Sequence, residues 1–111
     1  MHRVVITGAG VICPIGASMV EMDAALRAGR SGIKDVATLN LVDNDRVNQK
    51  IIAPVTGFVP EDHFDAREIG MMETVSQYAV FAAREAIGRA GLDFNEELAD
   101  ETAVIVGTGI G

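Results

Sequence analysis

One cysteine, Cys13, in a chain of 111 residues excludes an internal disulfide framework. Without a second thiol the Cys/His spacings of structural zinc are absent as well. A lone thiol suits a reducing compartment, so a cytoplasmic location is expected. Tryptophan is missing and aromatic residues make up only 5%, so a core must rest on Val, Ile, Leu, Met and Ala. Positive charge is scarce: nine Lys and Arg stand against sixteen Asp and Glu, a formal net charge of -7. That balance repels a phosphate backbone and leaves no basic stripe, which argues against nucleic acid as a partner. Long apolar runs are lacking too, because the stretch from Val4 to Ile15 is broken by Gly8, Gly10 and Pro14. No membrane span is expected. Gly10-Val11-Ile12 before Cys13 makes a poor lipobox or cleavage site, so no signal peptide is expected either.

What is present is the composition of one small domain, 49% hydrophobic and 23% charged. Val4-Val5-Ile6-Thr7 is a β-branched run ending at Gly8, the pattern of a strand buried on both faces in a parallel sheet. Ser18-Met19-Val20-Glu21 has capping-box spacing and predicts a helix to about Ala28, with Met19, Met22 and Leu26 as its inner stripe and Gly29 as its stop. From Gly32 to Lys50, through Asp43, Asn44, Asp45 and Asn48, the period is lost and an exposed connection is expected. Ile51-Ile52-Ala53-Pro54-Val55 reads as a short strand that Pro54 confines to an edge or bulge. Pro60-Glu61-Asp62 opens a short helical turn. The strongest period follows: Val75, Tyr78, Ala79, Ala82, Ala83, Ala86, Ile87 and Ala90 predict an Ala-rich buried helix ending at Gly91, with Glu85 and Arg89 paired on its solvated side. Ala103-Val104-Ile105-Val106 reads as another buried strand, running into Gly107-Thr108-Gly109-Ile110-Gly111. A buried strand and a glycine turn normally lead into a further element, so the chain is expected to be truncated.

Few motifs carry chemistry. Gly8-Ala9-Gly10 after a strand has the start of a dinucleotide fingerprint, but Cys13 and Pro14 follow where a third glycine is needed and the helix begins only near Ser18. A nucleophilic Cys13 would need a base, and the two histidines, His2 and His63, sit in no recognisable motif. Met71-Met72 reads as packing, and Glu96, Glu97, Asp100 and Glu101 as a solvated charge run in a loop. No cofactor and no metal are expected.

Four stretches in order resemble one family. Residues from Arg3 through Gly8-Ala9-Gly10 to Cys13-Pro14-Ile15-Gly16, then Ala28-Gly29-Arg30-Ser31-Gly32-Ile33, resemble the opening of type II β-ketoacyl-acyl carrier protein synthases. Gln77-Tyr78-Ala79, the Ala-rich helix into Ala90-Gly91-Leu92-Asp93, and Val104 through Gly111 resemble that family's third helix and third strand. The resemblance implies an α/β fold: the N-terminal fragment of a thiolase-like fold, mainly parallel sheet, with residues 1–111 as part of the N-terminal domain. It implies an acyltransferase in fatty-acid or related lipid and polyketide synthesis. An acyl group is held as a thioester on a cysteine, and malonyl-acyl carrier protein loses CO2 to give the carbanion that attacks it. That cysteine and two histidines lie beyond Gly111 in such enzymes, so the 111 residues contain no catalytic residue and are expected to be inactive alone. The resemblance makes Ile110 a candidate for the acyl-chain pocket, acyl carrier protein the partner, and a homodimer the state of the full-length protein. Two departures stand out: before Gln77-Tyr78 the family commonly has adjacent basic residues, whereas here only Arg67 precedes Glu68-Ile69-Gly70-Met71, and Pro54 replaces a usual glycine. A non-catalytic, chain-length-factor-like dimer partner and a small nucleotide-binding module are the alternatives.

Overall fold

A computed structural model describes residues 3–39 and 48–109. In chain order the described elements are α1 (Met19–Arg27), β1 (Lys34–Asp35), a 3-10 turn (Val36–Thr38), β2 (Ile51–Ile52), another 3-10 turn (Pro60–Asp62), α2 (Ala66–Met71), α3 (Thr74–Ala90) and α4 (Glu96–Asp100). Helix α1 starts as its cap dictates. The Ser18 hydroxyl accepts from the Glu21 N–H at 3.2 Å, and the Glu21 carboxylate accepts at 2.8 Å from Ala17 N–H, one residue further back than a capping box requires. Gly29, at φ 64°, and Gly91, at φ 65°, take the left-handed conformation that ends α1 and α3. The inner stripe of α1 differs from expectation: Ala25 is the buried residue, and Leu26 is 60% exposed.

Two short helices have local causes that periodicity misses. Helix α2 carries a complete capping box, with Glu68 N–H donating to Asp65 Oδ1 at 2.8 Å and Asp65 N–H to Glu68 Oε2 at 3.0 Å. Helix α4 corrects the loop expected around Glu96 and Asp100. Asn95 caps it by accepting from Leu98 N–H at 2.8 Å, and Glu96 and Glu97 suit the positive end of its dipole. The connection from Gly32 to Lys50 holds β1 and a 3-10 turn, while Asp43, Asn44 and Asp45 lie outside the described residues.

The expected mainly parallel sheet is not what forms. The sheet among the described residues has two strands only, β1 antiparallel to β2, with Lys34 opposite Ile52 and Asp35 opposite Ile51. The segments expected as buried strands, 3–7 and 103–106, join no ladder. Val4 and Ile6 are each 92% exposed and Ile105 is 93% exposed. The physical reason is that a β-branched run prefers extended backbone, whereas a strand exists only when a neighbour supplies amides and carbonyls to its edge. None of the described segments supplies them. The Ala-rich helix forms as α3, yet it is not a buried helix: Gln77 is its one buried residue among those described, because the segments that pack on it leave its other positions partly or fully exposed. The result is a mostly helical chain in which Ala25, Val36 and Phe64 are the buried apolar residues among those described, and the buried Gln77 has its Nε2 donating to the Met72 carbonyl at 3.1 Å. No described helix is long and apolar enough to cross a membrane.

Candidate functional site

The segment that begins at Gly8 lies along α3, and that contact explains Gly8 and Gly10, whereas Gly16 packs against Glu21 and Met22 of α1. A Cβ added at Gly8 would meet the Ala86 carbonyl oxygen and lie 2.8 Å from Ala90 N. One added at Gly10 would meet the Ala82 carbonyl oxygen and lie 2.8 Å from Ala86 N. Small residues on both sides, glycine in the turn and alanine at 82, 86 and 90 in the helix, bring two backbones into contact. These glycines face a helix rather than open space, so the nucleotide-fingerprint reading has no room for a phosphate there.

From the same helix Glu85 reaches across to the turn. Its Oε2 accepts from Val11 N–H at 3.0 Å, and its Oε1 accepts from Met19 N–H at 2.9 Å and from Arg89 Nε at 2.9 Å. The side chain is 17% exposed. Burial pushes the Glu85 carboxyl upward, but the amides of Met19 and Val11 together with Arg89 outweigh it and hold the group below the ordinary carboxylate value. The solvated Glu85–Arg89 pair expected from spacing is therefore a partly buried junction of α3, the turn and the start of α1. A signal was present in the sequence: an acid flanked by the alanines of the apolar stripe needs donors, and a glycine-rich turn has free amides to offer.

Two clefts flank this junction. Cys13 sits in a tight turn, its N–H donating to Gly16 O at 2.9 Å and Gly16 N–H returning to Cys13 O at 3.1 Å. The turn walls a cleft of about 420 Å³ with Glu21, Arg30, Ser31 and residues 55–57. No histidine lines it among the described residues. His63 lines the other cleft, of about 460 Å³, with Ala17, Ser18, Asp62, Phe81, Arg84 and Glu85. Its ring stacks on Phe58 at 5.3 Å and meets the edge of Phe81 at 4.7 Å. Cys13 and His63 thus line different clefts, and the structure does not assemble them into a nucleophile and base. His2 and Ile110 lie outside the described residues. Among the described residues no group of His, Cys, Asp and Glu could hold a metal ion.

Arg84, which periodicity alone did not single out, ties the second cleft together. It donates to the His63 carbonyl at 2.8 Å and to Glu68 Oε1 at 2.9 Å, and its guanidinium lies 4.7 Å from the centre of the Phe64 ring. Arg67 is exposed on α2 and makes no ion pair with the described residues.

Comparison with known proteins gives these features a context. The chain is 37% identical over 110 residues to 3-oxoacyl-(acyl-carrier-protein) synthase 2 of Staphylococcus aureus (strain COL), covering 98% of this chain and 26% of that protein. It is 38% identical over 110 residues to the protein of the same name from Coxiella burnetii, covering 99% of this chain and 26% of that one. Among solved structures, a chain of the ishigamide ketosynthase/chain length factor matches with a TM-score of 0.65 and 37% identity, over 86% of this chain and 23% of that chain. The chain therefore spans about a quarter of the length of these relatives. Residues 1–111 also match, from end to end, the family described as Beta-ketoacyl synthase, N-terminal domain. On that match, and on the identity to its relatives, the chain belongs to the β-ketoacyl synthase family.

Proposed function

We propose that the chain is the first part of the N-terminal domain of a condensing-enzyme subunit that works paired, as a chain-length-factor-like partner beside an active ketosynthase. The observation that carries this reading is the likeness, at 37% identity and a TM-score of 0.65, to a chain of a ketosynthase/chain length factor. The charge on α2 supports it. A subunit that receives an acidic carrier protein needs free cations, and here Arg67 stands alone while Arg84 is committed to Glu68 and the His63 carbonyl. The second reading, in which the complete protein is itself the 3-oxoacyl-acyl carrier protein synthase, is favoured by the names of the Staphylococcus and Coxiella relatives. On that reading the thioester-bearing cysteine lies outside these residues, and acyl carrier protein is the partner of a homodimer.

On this second reading Ile110 lines the acyl-chain pocket of the complete enzyme. Ile110→Phe in the complete protein should then lose long acyl primers selectively with an unchanged melting temperature. Equal loss for all primers with a lowered melt would mark a packing position instead. The deciding experiment expresses the complete coding sequence alone and together with a candidate ketosynthase. A partner subunit takes no acyl label from an acyl-carrier-protein thioester on its own, co-purifies with the ketosynthase and alters product chain length. A labelled thioester on this polypeptide overturns that reading in favour of the synthase.

A further inference from the structure

We infer that Glu85 is the positioning residue for the loop that carries Cys13, and that it acts as an anion holding both ends of that loop at once. Val11 precedes the Cys13–Gly16 turn and Met19 follows it at the first position of α1. The two oxygens of one carboxylate accept from these two amides at 3.0 and 2.9 Å. Between the two anchored amides the loop is held by the Cys13–Gly16 pair and by Ala17 N–H donating to Glu21 Oε2 at 2.8 Å, and it supplies residues 13–17 to the wall of the first cleft. The shape of that cleft therefore depends on a side chain that does not line it.

The chemistry asks for a carboxylate in particular. Both loop groups are N–H donors, so both oxygens must accept. An amide side chain of the same shape offers one acceptor and turns its NH2 toward the other donor. Charge adds to the fit, because bonds to an ionised acceptor are about twice as strong as neutral ones. Arg89 Nε, at 2.9 Å from Oε1, balances the charge and keeps the carboxylate turned toward the loop. The glycines at 8 and 10 bring the loop backbone within reach, since a Cβ at either would collide with α3.

The test uses the complete protein and two readouts at the loop itself: hydrogen exchange of the Val11 and Met19 amides, and the alkylation rate of Cys13 by iodoacetamide, followed on the Cys13 peptide by mass spectrometry. Glu85→Gln should accelerate both by about tenfold, the scale of one lost charge-assisted hydrogen bond. Glu85→Ala should accelerate them further, and sodium formate, but not sodium chloride at equal ionic strength, should return the Glu85→Ala rates toward wild type by refilling the two-donor position. If Glu85→Gln folds and leaves both rates unchanged, the inference fails. It fails equally if chloride restores Glu85→Ala as well as formate does, since the position would then answer to ionic strength and not to a two-oxygen acceptor.

Discussion

Gly10 is glycine because of what stands opposite it. Its φ is not among the positive ones, which belong to Gly29, Gly57 and Gly91, so another residue could adopt its backbone conformation. Space forbids it: a methyl at Gly10 would run into the Ala82 carbonyl and Ala86 N of α3. Gly10→Ala should cost about 1 to 3 kcal/mol by forcing turn and helix apart, read as a lowered denaturation midpoint of the complete protein. Gly88 is the opposite case, a glycine inside α3 with nothing within 4 Å of an added Cβ. Gly88→Ala should raise the helicity and stability of this chain by about 0.5 to 1 kcal/mol, measured by circular dichroism. Glu85 supplies the pH dependence. Its folded value is lowered from 4.5, so the stability it contributes is fully present above 4.5 and drains away as pH falls through the folded value. A melting curve followed into acid should show this loss in the wild type and a flatter acid limb in Glu85→Gln.

Among the elements, the helices with local stop and start signals are the ones legible in advance. Ser18, Gly29 and Gly91 act through neighbours within one turn, and α1 and α3 fall between them as read. Ser18→Ala should cost about 1 kcal/mol, with Ser18→Asp retaining most of it, because the oxygen that accepts from Glu21 N–H is what matters. Thermal denaturation of the two variants side by side checks this. Helices α2 and α4 were missed for a different reason. At one to two turns they are too short to display a period, although Asp65 and Glu68 have the spacing of a capping box and Asn95 stands where a cap belongs.

For the whole molecule the uncovered apolar residues decide the energetics. Val4, Val5, Ile6, Val104, Ile105 and Val106 are all exposed. Each forgoes about 1.5 to 3 kcal/mol of burial, and the six together forgo a sum comparable to the ~5 to 15 kcal/mol stability of an entire domain. The dimensions agree: the radius of gyration is 17.3 Å, where a compact chain of this length would have roughly 13 Å. The 111 residues by themselves should melt broadly and bind the dye ANS strongly at neutral pH. A sharp two-state transition with weak dye binding would show that the burial of Ala25, Val36 and Phe64 suffices.

By itself the sequence determined the local structure and the family: the capped starts, the left-handed glycine stops, the alanine period of α3, and the ordered motifs from Arg3 to Gly111. Those signals need only residues within a turn of one another, or a pattern shared with relatives. Tertiary structure alone decided the rest. Whether Val4 to Thr7 and Ala103 to Val106 become strands depends on partners far along a chain, and here no described segment provides them. Whether Glu85 faces water or two backbone amides depends on the approach of the Gly8–Gly16 segment to α3, a contact across 74 positions that no spacing on the helix encodes.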